Sequence, residues 1–493
     1  MNREPKNKTA PRPGKFSIQS GRIVDGELCL AGDSTFLTLR DTEDIQLFKS
    51  GDDFITGTLA DLTKVTLVQC VVASSGSTWS ENEMIFHSGV FPHYVIEGHG
   101  HLDPNAPTIT EIRLVLDDAI ALFNDFGIFG EVYDAKPHIE QIIAANGLHH
   151  PIVVGPNPKI LYFTGKYDII EIQTAIGTVS AHNNLSGTFP STRGVRLDNT
   201  VSVNITTPGI AFHEVISRAL QLIQFLALII GRPQTLLEMT VTSGASPERF
   251  KVHWSFCPTR KLESSDTTGP QPGDLPLDPI RRPDEFSRVI SSWFEHNDER
   301  RDARNRLQTC FRQQRRYSVD RLVGAANMFD ILPPSAVPQD IELAAELRDA
   351  KERCRTIFQN LPHSYERDGV LNALGRVGKP SLKHKVRYRA SFIADAVGDR
   401  FPNLIWVLEQ AVDCRNHYVH GASSKIDYSA NVDIETFLTD SLEFVFAASE
   451  LVEAGWDMRA FIETPTSMTH PFGAYRVRYQ TRLAALKAAV VND

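Results

Sequence analysis

The sequence predicts a multidomain α+β protein in which a β-rich N-terminal domain is followed by an all-α helical bundle. Residues 16 to about 205 alternate apolar and polar side chains or run in β-branched residues, and turn residues interrupt them at short intervals. After residue 284 the spacing of the apolar residues changes to that of an α-helix. A segment dense in Pro, Gly, Ser and Asp, residues 258–283, separates the two patterns.

The composition is that of an ordinary soluble globular protein, because 42% of the 493 residues are hydrophobic and 23% are charged. The net charge of −9 is unevenly distributed. Residues 1–280 carry 21 basic and 31 acidic side chains, whereas residues 281–493 carry 30 and 29. The two parts therefore have charges of about −10 and about +1. If either part binds nucleic acid, we expect it to be the second.

Three features indicate a cytoplasmic protein that does not enter a membrane. The six cysteines are spaced singly, which predicts reduced thiols. Residues 1–15 are polar and basic and lack the apolar core of a secretory signal, so a disordered lead-in is expected. The most apolar run, residues 219–231, is too short to span a bilayer and contains Gln221 and Gln224. It predicts a buried helix.

The elements follow in order from these patterns. Residues 16–257 predict a sandwich-like or barrel-like antiparallel sheet that senses a signal or regulates the second domain, with one helix over 208–231. Residues 258–283 predict a linker or the tip of a long hairpin. Residues 284–493 predict about six helices joined by short connections, which is a helical bundle. The second of these helices is expected to be long and to end near residue 331.

The stretch "AVDCRNHYVHGASS", residues 411–424, ends a helix expected over 402–420, and Gly421 is the expected stop. Arg415 and His420 are five positions apart, so a regular helix turns them about 140° from each other at roughly 100° per residue. They can converge through the length of the arginine, through unwinding at the glycine, or through a second copy of the chain. This constraint favours a site at a dimer interface.

These residue types suit the cleavage of RNA without a metal ion. A histidine such as His420 exchanges a proton near neutral pH, and an arginine such as Arg415 holds a phosphate bidentately. The amide of Asn416 can orient the histidine or bind a phosphate oxygen. The structural alternative is that positive side chains lie here because the C-terminus of a helix favours them.

The stretch "RNHYVHG" resembles the Arg-x-x-x-x-His motif of HEPN-fold ribonucleases, in which a polar residue commonly follows the arginine. A β-rich region followed by a C-terminal HEPN domain is similar to the layout of the ApeA-type anti-phage abortive-infection proteins. The resemblance implies a dimeric, metal-independent endoribonuclease that cleaves RNA, with tRNA as its substrate and a phage-derived trigger acting at the N-terminal domain. It identifies Arg415, His420 and Asn416 as the catalytic residues. It assigns no role to His417.

Two basic runs are candidates for contact with the RNA backbone. The first, residues 376–389, contains six basic residues and no acid. Its predicted RNA-binding residues are Lys383, Lys385, Arg387 and Arg389. The second run, residues 300–316, contains seven arginines, but arginine stems also cover helix faces. Asp330, near the end of the long helix, is either an acidic partner of the motif or a solvent-exposed residue.

Two other functions remain open from the sequence. One is an inactive HEPN module that binds RNA or a partner protein without cleaving. The other is a ligand-binding β domain for which the helices provide dimerisation. No metal site or cofactor site is expected, since no loop or residue cluster has the spacing that such sites require.

Overall fold

The structure is a computed structural model that describes residues 10–18, 21–45, 47, 54–80, 83–147, 153–192, 194–244, 246–260, 268–339, 342–423, 426–428 and 431–491. Among these residues, contacts between Cα atoms divide the chain into two compact units. The sheet unit lies within Met1–Leu226, Gln234–Ser264 and Asp278–Pro283, and the helical unit lies within Ala227–Pro233, Ser265–Leu277 and Asp284–Asp493. The predicted order, a β-rich region followed by an all-helical region, is confirmed.

Fourteen strands and three short or medium helices account for the first half of the described chain. The strands are β1 (Arg12–Ser17), β2 (Ile23–Cys29), β3 (Phe36–Asp41), β4 (Phe54–Leu59), β5 (Lys64–Ser80), β6 (Glu83–Gly98), β7 (Ile109–Leu116), β8 (Phe129–Val132), β9 (Ile160–Phe163), β10 (Asp168–Thr174), β11 (Gly177–Ser191), β12 (Gly194–Ile210), β13 (Leu236–Ser243) and β14 (Ser246–Trp254). The helices are α1 (Ala119–Leu122), α2 (Lys136–Asn146) and α3 (Phe212–Ile230).

Six of these strands close into a barrel. They are ordered β6-β3-β2-β1-β4-β5, and β5 pairs back with β6. From β6 the same sheet continues outside the barrel through β14, β13, β7, β12 and β11 to β10. Alternate residues point inward, and they fill the barrel with a core that includes Phe16, Val24, Leu28, Leu37, Leu39, Ile55, Val65, Leu67, Val90 and Val95. The sheet is therefore barrel-like.

Strand β1 corrects the expectation that residues 1–15 form a disordered lead-in. Residues 1–9 lie outside the described part of the chain, but Arg12–Ser17 pairs with β2 on one side and β4 on the other. Pro13 in this strand has no N–H to donate, but its carbonyl accepts a hydrogen bond from the Ala60 N–H at 2.9 Å. The composition of the segment concealed the strand, which long-range pairing stabilises.

Helix α3 is, among the described residues, the one helix long and apolar enough to cross a membrane by length and composition. In the structure its apolar residues are used for packing instead. Fully buried positions include Leu222, Phe225, Leu226, Ile229 and Ile230. The prediction of a buried helix is therefore confirmed.

The segment expected to be a linker, residues 258–283, is partly folded into the helical unit; its residues 261–267 lie outside the described chain. Asp274 is only 2% exposed. Its carboxylate accepts hydrogen bonds from the backbone N–H groups of Ser467 and Thr469 and from the hydroxyl of Thr466. These bonds attach the Pro- and Gly-rich segment to the C-terminal part of the bundle.

Ten α-helices form the helical unit within the described residues. They are α4 (Pro283–Glu295), α5 (Asn297–Arg312), α6 (Val319–Asp330), α7 (Ala345–Gln359), α8 (Tyr365–Arg376), α9 (Leu382–Val397), α10 (Leu404–His420), α11 (Val432–Glu453), α12 (Met458–Glu463) and α13 (Pro471–Val491). The long helix expected to end near 331 is in fact two helices, α5 and α6. Gln314 adopts a positive φ of 51°, which ends α5. The Ser318 side chain accepts a hydrogen bond from the Arg321 N–H and caps the start of α6.

Helix α11 is the central helix of the bundle and packs against α6, α9, α10 and α13. It buries apolar residues almost all around its circumference, including Phe437, Leu438, Leu442, Val445, Phe446 and Leu451. This packing brings α6, α9 and α10 together. The ends of these three helices carry the candidate site.

Candidate active site

Helix α10 ends where the sequence predicts. Gly421 has a φ of 64°, a left-handed conformation that glycine adopts at little cost. Its N–H donates to the carbonyl of His417 at 3.0 Å, which closes the last turn. Residues Leu404, Val407, Leu408, Ala411, Val412 and Cys414 are buried. The apolar face thus anchors the helix, and its last turn remains accessible.

Arg415 and His420 meet within a single chain. The Nη1 atom of Arg415 lies 3.0 Å from Nε2 of His420, although the helix turns the two residues apart. The length of the arginine side chain closes the gap. A second copy of the chain is therefore not needed to bring these two groups together, and the geometric reason for a composite site does not hold.

The contact indicates which tautomer the neutral ring of His420 adopts. A guanidinium can only donate hydrogen bonds, so Nε2 of His420 must be the acceptor and the neutral ring must carry its proton on Nδ1. His420 is exposed. The pair thus places the Nε2 atom of an imidazole beside a permanent positive charge.

Arg415 is half-buried, and within the described part of the chain it makes hydrogen bonds only to neutral groups. Besides His420, its Nη1 donates to Oδ1 of Asn416 at 3.1 Å and its Nη2 to Oδ1 of Asn327 at 3.4 Å. Its buried Nε has no hydrogen-bond partner among the residues that the structure describes. Within the described residues no carboxylate lies within 4.0 Å of this guanidinium. Such an arginine lacks a counter-ion and is suited to bind an anion.

The other deeply buried arginines of the helical unit behave differently. Four arginines are at most 4% exposed, and each forms an ion pair with a glutamate. They are Arg300, Arg304, Arg321 and Arg389. Since the fold supplies a carboxylate for each of these, the absence of one near Arg415 is a local property of the site.

Asn416 and Asn327 hold the arginine in place. Asn416 was expected to orient the histidine or to bind a phosphate oxygen, and in the structure its Oδ1 accepts from Arg415. Asn327, on α6, did not stand out in the sequence, because an isolated asparagine in a helix carries no signal of its partner. Among the described residues, Asp330 forms no ion pair with Arg415, and its carboxylate lies 3.7 Å from Lys385 Nζ. Its carbonyl accepts a hydrogen bond from Lys385 Nζ at 2.7 Å.

The basic run on α9 is largely used for contacts between helices. Lys383 Nζ lies 2.6 Å from Asp413 Oδ1, and Arg387 pairs with Glu409, so two residues bind α10. Both remain partly exposed, as does Lys385 to a smaller extent. Ion pairs thus position this face of α9 beside the helix that carries the motif.

The prediction that Arg389 binds RNA does not fit the structure. Its side chain is fully buried, so it is not accessible to RNA in this structure. Its guanidinium binds Glu450 at 2.9 Å, Glu453 at 2.8 Å and the hydroxyl of Ser449 at 2.9 Å. The sequence could not distinguish it from its neighbours, because the partner residues lie on α11, about 60 positions later.

Two arginines of the second basic run join the same buried cluster. Arg300 Nη1 lies 2.9 Å from Glu450 Oε1, and Arg304 Nη2 lies 2.9 Å from Glu450 Oε2. The guanidinium of Arg304 also lies over the Trp293 ring at 3.7 Å. These residues bind the glutamates of α11 and not solvent.

Burial raises the pKa of two further side chains on α10. Burial raises the pKa of the Tyr418 hydroxyl to about 12, and the hydrogen bond to Glu435 adds to the effect. Burial also raises the pKa of the Cys414 thiol to about 12. Both groups are therefore protonated at neutral pH. Across the described residues, no three His, Cys, Asp or Glu side chains are grouped as metal ligands.

Comparison with known protein families matches both parts of the chain. The model of the ApeA N-terminal domain 1 matches residues 13–293, and the model of the Apea-like HEPN domain matches residues 323–460. The searches among curated proteins and among solved structures gave no match. The HEPN match contains α10 and the residues around Arg415 and His420. The chain therefore belongs to the ApeA family and carries a C-terminal HEPN domain.

Proposed function

We propose that this chain is a metal-independent endoribonuclease whose HEPN domain cleaves RNA, with tRNA as the substrate, during abortive infection by phage. The family supports a ribonuclease-like role in abortive infection. One observation carries the assignment to this site: an arginine without a carboxylate partner lies 3.0 Å from the Nε2 atom of an exposed histidine. A phosphate-binding group and a proton acceptor are therefore adjacent.

The proposed reaction uses these two groups in sequence. The RNA phosphate takes hydrogen bonds from Arg415, which now holds neutral acceptors only. As the guanidinium turns toward the phosphate, Nε2 of His420 loses its donor and its lone pair becomes available. His420 then accepts the proton of the ribose 2′-hydroxyl, which attacks the adjacent phosphorus. The guanidinium stabilises the charge that develops on the phosphate oxygens.

Cleavage should continue in EDTA and should leave a cyclic phosphate or a 3′-phosphate, together with a 5′-hydroxyl, because the attacking oxygen belongs to the RNA. Analysis of the RNA ends, with a Mg²⁺-dependent nuclease in the same EDTA buffer as a control, measures this. Products with 3′-hydroxyl ends and a strict requirement for Mg²⁺ would contradict the proposed chemistry.

The RNA strand is proposed to approach along the accessible basic side chains of α9. Lys383, Lys385 and Arg387 remain in this proposal because their side chains are partly exposed, whereas buried Arg389 is withdrawn from it. A phosphate can replace Asp413 or Glu409 as the partner of these cations, and exchange at a partly exposed ion pair costs little. Counter-ion release would then contribute to RNA affinity.

We also propose a homodimer formed through the HEPN domain, with the two motifs facing one cleft. HEPN domains typically dimerise, and Ile405 and Val419 on α10 are 42% and 43% exposed. The expected mass by light scattering is about twice 55.0 kDa, and Val419→Asp should shift the protein toward the monomer because it places a charge in the apolar contact. Val477→Asp, at a 53% exposed position of α13, is the control. A fully active monomer would contradict a shared cleft.

The N-terminal domain is proposed to sense a phage-derived trigger or to restrain the nuclease in the cytoplasm. The outer face of the barrel carries a groove of about 560 Å³. It is lined by both acidic and basic side chains, namely Lys15, Asp25, Glu27 and Arg40. This groove is the feature that favours the alternative in which the β domain binds a small ligand.

A further inference from the structure

We propose that His417 is a second catalytic histidine, which protonates the leaving oxygen when the RNA is cleaved. The inference rests on the ribonuclease function proposed above, in which His420 accepts the first proton. His417 precedes His420 by three positions on α10. Side chains at this spacing are neighbours on a helix surface, with Cβ atoms about 5–6 Å apart.

The helix places the two histidines close to each other and turns both of them away from Arg415. At roughly 100° per residue, His420 lies about 140° and His417 about 200° around the axis from Arg415. The two histidines are therefore about 60° apart on one side of the helix, and Arg415 reaches His420 through the length of its side chain. In an in-line displacement the attacking and leaving oxygens are on opposite sides of the phosphorus, so separate donor and acceptor groups are needed.

The ring of His417 is fixed in one tautomer. Its Nδ1 atom lies 2.8 Å from the carbonyl oxygen of Ala422, and because a carbonyl only accepts, Nδ1 must carry a proton. The left-handed turn at Gly421 brings this carbonyl back toward the helix. Nε2 has no hydrogen-bond partner among the described residues. It is therefore the atom that can carry the transferable proton.

Two aromatic side chains hold the ring in position. The ring of Tyr418 meets His417 edge to face at a centroid distance of 5.2 Å, and the ring of Tyr428 lies 5.7 Å away. Tyr418 is itself anchored by a hydrogen bond to Glu435 at 3.1 Å. Together with the hydrogen bond from Nδ1–H to the Ala422 carbonyl, these contacts restrict the rotation of the imidazole.

The proton balance of the step is complete. The 2′-oxygen forms a bond to phosphorus and gives its proton to Nε2 of His420. The bond between phosphorus and the 5′-oxygen breaks, and that oxygen takes a proton from Nε2 of protonated His417. The products are a 2′,3′-cyclic phosphate and a 5′-hydroxyl. His420 has gained one proton and His417 has lost one, and exchange with water restores both rings.

The test compares His417→Asn with His420→Asn in the full chain. In His417→Asn the introduced side-chain amide would occupy the place of Nδ1–H and keep the bond to Ala422, but it cannot supply a proton. With ordinary RNA we expect a loss of about 10²-fold or more for each variant, as for the removal of a general acid or base. RNA with sulfur in place of the bridging 5′-oxygen needs no acid, because thiolate is a good leaving group.

On the sulfur-containing RNA the two variants should differ. His417→Asn should return to within about tenfold of the wild type, whereas His420→Asn should stay inactive, because it lacks the base. Wild-type activity of His417→Asn on ordinary RNA, or a loss that the sulfur does not restore, would overturn the role of His417. If the wild type cleaves neither substrate, in buffer or in extract of phage-infected cells, the proposed ribonuclease function is wrong, and the role of His417 is rejected with it.

Discussion

Arg415→Ala and His420→Ala should each reduce RNA cleavage by about 10²-fold or more, while the protein remains folded. Removing the guanidinium leaves the phosphate without its bidentate partner, and removing the imidazole leaves the 2′-hydroxyl proton without an acceptor. Arg415→Lys should regain little activity, because an ammonium group is a point charge that cannot make two parallel hydrogen bonds. Gel-based cleavage of tRNA and growth of cells that express each variant measure the effect.

Suitable controls lie in the same helical unit. His363→Ala and Arg353→Ala remove the same side-chain types from exposed positions, and both variants should cleave like the wild type. Far-UV circular dichroism and thermal unfolding establish that each variant is folded. The last turn of α10 is accessible, so little loss of stability is expected from either site variant. A well-folded His420→Ala protein with wild-type cleavage would end the catalytic assignment.

Glu450→Gln should reduce the free energy of unfolding by about 3–5 kcal/mol, since it leaves the buried Arg304 without its counter-ion and leaves Arg300 and Arg389 to share Glu453. Glu450 is 1% exposed and binds Arg300, Arg304 and Arg389. A loss of this size is a large part of the stability of an ordinary domain, which is about 5–15 kcal/mol. Denaturant unfolding followed by circular dichroism measures it. Glu352→Gln, on the exposed face of α7, is the control and should change stability little.

A second variant keeps this prediction testable if Glu450→Gln does not fold. Replacing Arg389 together with Glu450 by methionine removes one cation with the anion, so the double variant should lose less stability than the sum of the two single losses. Strictly additive losses would show that the two side chains do not interact across the core.

The same cluster predicts how stability depends on pH. Burial by itself raises the pKa of Glu450, but attraction to Arg304, Arg389 and Arg300 outweighs it and the net shift is downward. A carboxyl group with a lowered pKa in the folded state contributes stability above its unfolded pKa of about 4.5. This contribution is lost as the pH falls through the folded-state value. Acid unfolding of the wild type should therefore be steeper than that of Glu450→Gln.

Much of the candidate site was predictable from short stretches of sequence. The spacing of apolar residues predicted helix 402–420, and α10 runs from Leu404 to His420 with Gly421 as its C-cap. The Ser381 side chain caps α9 by accepting a hydrogen bond from the His384 N–H. These features depend on residues within one or two turns of each other, so the local sequence contains the information that they need.

Contacts between distant parts of the chain were not predictable in this way. A run of basic residues does not reveal which members face a partner helix, so Arg389 resembled Lys383 until α11 placed Glu450 beside it. The same limit applied to Asn327, which meets Arg415 only because α6 and α10 pack together. The break between α5 and α6 was also missed, since helical spacing of apolar residues continues across it.

The sequence by itself determined the order of a β-rich and a helical region and the position and end of α10, and it indicated Arg415 and His420 as the candidate pair. Only the tertiary structure decided that β5 returns to pair with β6 and closes the barrel, and that Arg389 is buried. It also decided that one arginine spans the turn to His420 at 3.0 Å. Secondary structure follows the local periodicity of apolar residues and the capping of helix ends. The three other results depend on packing between elements and on the length of a side chain, which the periodicity of a single element does not contain.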